Sequence, residues 1–103
     1  MSDRYDGKPF LKLVDGYVID AIGRLDAAAE LELKAMEPMF RDTLETRGDW
    51  RAMVEEQMRF PAGMPGAIRE VWDKGHVKFL AQTGKEPDPL EFTMHFVDTK
   101  FPH

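Results

Sequence analysis

Residues 9–25 read PFLKLVDGYVIDAIGRL, and the reading of this stretch decides the fold. Pro9 stands where an α-helix accepts proline best, its first position, because the N–H that the ring removes has no partner there. At 100° per residue, Phe10, Leu11, Leu13, Val14, Tyr17, Val18, Ala21, Ile22 and Leu25 fall on one half of the cylinder. Lys12, Asp15, Gly16, Asp20 and Gly23 fall on the other half. An apolar face that wide needs more than one neighbour to cover it, so this helix is predicted to sit centrally in an all-α bundle.

The same grammar of stops and caps repeats outward from this segment. Gly23 ends the first helix and Asp26 is placed to accept a backbone N–H at the start of a second, Ala27 to about Thr46. Its apolar stripe is Ala29, Leu33, Met36, Phe40 and Leu44, which keeps its phase through Pro38. One helix kinked at Pro38 is therefore expected, with a break at Glu37 as the alternative. Gly48 and Asp49 give a second stop and cap before a short helix with Trp50, Met53, Val54 and Met58 on its stripe.

Residues 59–66, RFPAGMPG, carry two prolines and two glycines and must turn. A fourth helix runs from near Pro65 to about Thr83, where Gly84 stops it, with Ile68, Val71, Trp72, Gly75 and Phe79 on one stripe. Gly75 within that stripe points to a close helix crossing, with a local distortion equally compatible. Asp88 and Pro89 start a fifth helix whose stripe is Leu90, Met94, Val97 and Phe101, widened by Phe92 and Phe96. No alternating run argues for a strand. The expected architecture is a compact, irregular bundle of about five helices in one domain, residues 9–103, preceded by a flexible N-terminus, residues 1–8, in which Tyr5 is the one candidate anchor.

Composition narrows the function classes. The 103 residues carry a formal net charge of -5 with acids and bases interspersed, so the counterion-releasing positive stripe that nucleic-acid binding requires is missing. Arg69, Lys74 and Lys78 scatter around the fourth helix, which also disfavours a helix-turn-helix reader across Ala62 to Gly66. Cysteine is absent, which excludes disulfides, thiolate metal sites and cysteine nucleophiles. The first apolar stretch is interrupted by Lys12, Asp15 and Asp20, so neither a secretory leader nor a membrane span is read there, and a cytoplasmic location is expected.

Catalytic material is scarce. Ser2 is the sole serine, and His76 and His95 are the two internal histidines. Glu91, His95 and Asp98, spaced i, i+4 and i+7 on the fifth helix, are the one acid and imidazole cluster with metal-ligand or proton-shuttle spacing, and His76 or Asp73 would have to complete a ligand set. A solvated polar face accounts for the same spacing. His76, four residues after Trp72, is read as a half-buried ring packed on the indole. No cofactor motif is present.

Methionine is more informative. Met36, Met53 and Met94 fall on apolar stripes and are expected inside, whereas Met39, Met58 and Met64 lie off-centre or in the 59–66 loop. With Phe60 they either close the core from outside or form an apolar docking patch. The leading functional expectation is a non-enzymatic interaction or regulatory domain binding another protein, or itself, through Phe60, Met64, Met58 and Met39. The alternative is a small-molecule or divalent-metal site on the Glu91, His95 and Asp98 face.

Overall fold

Helix signals spaced along the chain become five helices in a computed structural model that describes residues 5, 7–45 and 48–101. These are α1 (Pro9–Ala21), α2 (Ala27–Leu44), α3 (Trp50–Met58), α4 (Met64–Thr83) and α5 (Pro89–Lys100). Among the described residues there is no strand, and no helix is long and apolar enough to cross a membrane. Residues 1–4 and 6 of the expected N-terminal segment lie outside the described residues, while Tyr5 is half-buried against the core.

Local chemistry accounts for where the helices begin. Asp26, Asp49 and Asp88 each sit in extended backbone and accept from Ala29 N at 2.7 Å, Ala52 N at 2.9 Å and Leu90 N at 2.9 Å. Each thereby satisfies one amide that a helix start would leave unpaired. Gly84 ends α4 at φ +72°, a left-handed conformation that suits a residue without Cβ. α2 is continuous across Pro38, which removes the alternative of a break at Glu37.

α1 is the centre, packed against all four other helices. Leu11, Leu13, Val14, Tyr17, Val18 and Ile22 are buried as the wide apolar face requires. The side expected to be polar is closed at its middle turn, where Asp15 is 1% exposed and Gly16 is buried, while Lys12 and Asp20 stay partly exposed. Leu33 of α2 lies so near Gly16 that an added Cβ would be 2.5 Å from its Cδ1, and the Tyr5 hydroxyl donates to Asp15 Oδ2 at 2.8 Å. A helix with a missing side chain on one turn admits a neighbour there, and the adjacent carboxylate is buried with a donor in place.

The stripes of α2 and α3 are buried or half-buried as their spacing predicts, including Leu33, Phe40, Trp50, Met53 and Val54. Polar links lock these helices onto α1. Arg51 donates to Asp20 at 2.9 Å and to Glu30 at 2.7 Å, with its guanidinium 4.4 Å from the Trp50 ring centroid. Its pKa is held above the usual arginine range, chiefly by the Asp20 hydrogen bond and further by Glu30, against the opposing effect of burial. Tyr17 donates to Glu55 Oε2 at 2.9 Å, and burial first, then this bond and the fields of Glu55 and Asp20, raise its pKa above 10.0.

α5 departs from the expected face. Thr93, Phe96 and Val97 are buried, Phe92 and Phe101 are half-buried against the core, Met94 is half-buried, and Leu90 is exposed. The aromatic side wins because each ring has more apolar area to hide than Leu90 or Met94. Phe96 lies 5.6 Å from both Phe92 and Phe101, ring centre to ring centre. The rotation leaves Thr93 Oγ1 buried with no hydrogen-bond partner among the described residues, as is Trp50 Nε1.

Candidate functional site

α4 is 20 residues long, about 30 Å at the α-helical rise, and only Ile68 and Trp72 in its first half are buried. From Asp73 to Thr83 no side chain is buried, and His76 alone is half-buried. The stripe that the spacing assigned to this helix therefore serves the core only as far as Trp72. Val71 and Phe79 are exposed, and a Cβ built on Gly75 would meet nothing within 4 Å, so the expected close crossing at Gly75 is absent. α1 is shorter, with 13 residues, and α4 runs past the surface it offers.

Exposed apolar bulk concentrates on this overhang. Large hydrophobic side chains exposed among the described residues are Leu31, Met39, Val71, Val77, Phe79, Leu80 and Leu90, and all but the first two belong to α4 and the first turn of α5. Val77 is 71% exposed, Leu80 44% and Phe79 41%. Around the cylinder Phe79, Leu80 and Val77 follow at about 0°, 100° and 160°, which makes a strip over one side of the helix. Asp73 falls within it, at about 120°. Its neighbour Glu70 is paired with Lys74 at 2.9 Å, and that hydrogen bond and charge lower the Glu70 pKa.

Beside the strip, α4 and the start of α5 enclose a groove of about 270 Å³. Trp72, His76 and Phe79 line it from α4 and Phe92 and Glu91 from α5, with Gly75 and the α5 cap Asp88 also on its wall. The Trp72 and Phe92 rings meet edge to face at 5.1 Å and 66°, and the His76 ring lies 5.4 Å from the indole at 49°. His76 Nε2 is 3.7 Å from Glu86 Oε1 across the Gly84 turn. Among the described residues, neither lysine nor arginine lines the groove. Arg24, from outside the groove, places its guanidinium carbon 5.8 Å from the Trp72 ring centroid.

The residues singled out by sequence fall in separate parts of the molecule. Phe60, Met58 and Met64 are half-buried and packed on the core, with Phe60 centred 5.4 Å from Tyr17 and 4.9 Å from Phe101. Met58 also borders a second, apolar groove of about 350 Å³ with Phe10, Leu11, Val14 and Phe101, beside the start of α1. Met39 is exposed on α2 and lines neither groove.

Glu91 enters the first groove, where it joins His76, while His95 and Asp98 are exposed and line neither groove. Asp73 is exposed on α4. Among the described residues no group of three or more histidine, aspartate or glutamate side chains is placed to hold a metal ion. His76 packed on Trp72 matches the sequence reading, whereas Val77, Leu80 and the groove itself were missed. One signal was present: Val77 lies about 180° from Ile68, on the side of α4 where a solvated helix has no need of valine.

No family model, curated protein or solved structure matches the chain.

Proposed function

We propose that this chain is a non-enzymatic interaction domain that receives an amphipathic helix of a partner protein along the Phe79, Leu80 and Val77 strip of α4. One observation carries the reading. The second half of a 20-residue helix buries no side chain of its own, yet it holds Val77, Phe79 and Leu80, three of the seven exposed large apolar side chains among the described residues, within four positions. Apolar side chains gathered on an unpartnered helix face are what a helix-in-groove partner covers, its own residues at i, i+3, i+4 and i+7 serving as anchors.

The 59–66 loop supports this placement by elimination. Phe60, Met58 and Met64 already pack against Tyr17, Phe101 and the rest of the core, so they have less free surface to offer than the α4 strip. The acid and imidazole reading loses its ligand set, because His95 and Asp98 lie outside the groove that Glu91 lines.

The test is a comparison of wild type with the V77E/L80E double variant. Both should melt alike, since neither side chain is in the core. A protein retained by immobilised wild type should be lost by the variant, and a peptide of its amphipathic helix should displace it from wild type. Retention unchanged by the double substitution would remove the strip from the reading. Sedimentation of the purified chain decides whether that partner is a second copy.

A further inference from the structure

We infer that the groove between α4 and α5 receives the cationic side chain, lysine or arginine, of the partner segment that docks on α4. This rests on the interaction reading above and adds the partner's chemistry to it. Three features of the groove select a cation with an apolar stem over other occupants.

The first is the wall. Trp72, Phe79 and Phe92 converge on about 270 Å³, a volume suited to one long side chain and small for a drug-sized ligand. The second is the charge. Asp88 and Glu91 line the groove and no lysine or arginine among the described residues does, so the wall favours a cation over an anion. The third is a precedent within the molecule: Arg24 sits over the Trp72 ring at 5.8 Å, inside the range at which an indole attracts a guanidinium. Gly75 contributes by omission, since it leaves open space within 4 Å where any other residue would project a side chain.

The surrounding surface is mixed in sign, with Lys74, Lys78 and Lys85 on the same segment as Asp73 and Glu86, so the preference for a cation comes from the groove wall itself. Asp73 lies within the apolar strip, Glu86 stands beside His76, and the chain as a whole carries -5. A partner helix with apolar anchors for Phe79, Leu80 and Val77 and a basic residue at the groove edge therefore fits both the shape and the charge. A metal ion does not, because His76, Asp88 and Glu91, although all on the groove wall, are not assembled into a ligand set among the described residues.

The experiment titrates the full ¹⁵N-labelled chain with N-acetyl-Gly-Arg-Gly-amide, its lysine analogue, and its neutral citrulline analogue. Readouts are the Trp72 indole N–H and the Gly75 amide. The two cationic peptides should shift both signals at millimolar concentration, and the citrulline peptide should leave them in place. E91Q, F79A and D88N should each weaken binding roughly two- to fivefold, as expected for exposed charge and ring contacts. The D88N substitution preserves the helix cap, because an asparagine side chain also accepts from the first-turn amides, so α5 should keep its helicity.

Equal shifts with citrulline, or none with any peptide well above millimolar, would overturn the inference. Butylguanidinium binding more tightly than the peptides would also overturn it, because the groove would then serve a free organic cation. If the cationic peptides bind while V77E/L80E leaves partner capture unchanged, the groove assignment stands and the strip reading fails. Loss of capture in V77E/L80E with no response to the peptides gives the reverse.

Discussion

α1 and the second half of α4 are both helical, both carry apolar side chains over a wide face and both contain a glycine, yet most of α1 is buried and no side chain of residues 73–83 is. The difference lies in what surrounds them. α1 meets four helices, and its one missing side chain, at Gly16, is filled by Leu33. Beyond Trp72, α4 meets only the 86–92 segment, which half-buries His76 and leaves Val77, Phe79 and Leu80 exposed, and its missing side chain, at Gly75, opens onto a groove. Apolar character thus stabilises the fold in the first case and is left available for docking in the second.

The strongest test of that contrast is the same truncation in both places. Leu13 is fully buried, so L13A should lower unfolding free energy by about 2–5 kcal/mol, whereas L80A should change it by no more than about 0.5 kcal/mol. Urea denaturation followed by circular dichroism reads both. A comparable loss at Leu80 would mean that the α4 overhang is part of the core after all.

The two glycines give the next largest effect. G16A must displace Leu33 from its packed position and should cost about 1–3 kcal/mol, outweighing the gain in helix propensity. G75A meets nothing and should stabilise by about 0.5–1 kcal/mol. Opposite signs from one substitution in two helices would be direct evidence that α1 is closed and α4 open. Stabilisation in both would mean that α2 yields at Leu33.

How much of this was legible in the sequence follows from which interactions are local. The starts of α2, α3 and α5 were readable because Asp26, Asp49 and Asp88 bond to amides two or three residues away, a relation that needs no tertiary knowledge. The centrality of α1 was readable from the width of its apolar face. The closure of its other side was not, because Asp15 and Gly16 look polar and small until Tyr5 and Leu33 are brought to them. Likewise, a stripe through Val71, Trp72, Gly75 and Phe79 reports which side is apolar but not whether a neighbour extends far enough to cover it. The groove depends on residues 72–79 meeting residues 87–92, and the periodicity of neither segment contains that meeting.

Two milder tests refine the buried side of the comparison. Thr93 is fully buried against the core with a hydroxyl unpartnered among the described residues, so T93V, close to isosteric, should stabilise by about 1 kcal/mol in the same urea assay. A loss instead would show that the hydroxyl has a partner, a bound water for example.

Tyr17 adds a pH test. Its pKa is raised in the folded chain, so the stabilisation linked to its protonated form is complete below 10.0 and declines as pH rises beyond that value towards the folded pKa. Thermal melts should therefore fall above pH 10 in wild type and fall less in Y17F. Equal declines would assign alkaline sensitivity to other groups.

The overhanging end of α4 also has a dynamic consequence. Helical residues 73–83 hide little from water and keep their hydrogen bonds mainly through local propensity, which is marginal over so short a span. Amides from Lys74 onward should exchange with deuterium far sooner than those of α1, and a protease should nick this segment first. Occupancy would reverse the order, so slowed exchange confined to these turns would register an arriving ligand before its identity is known.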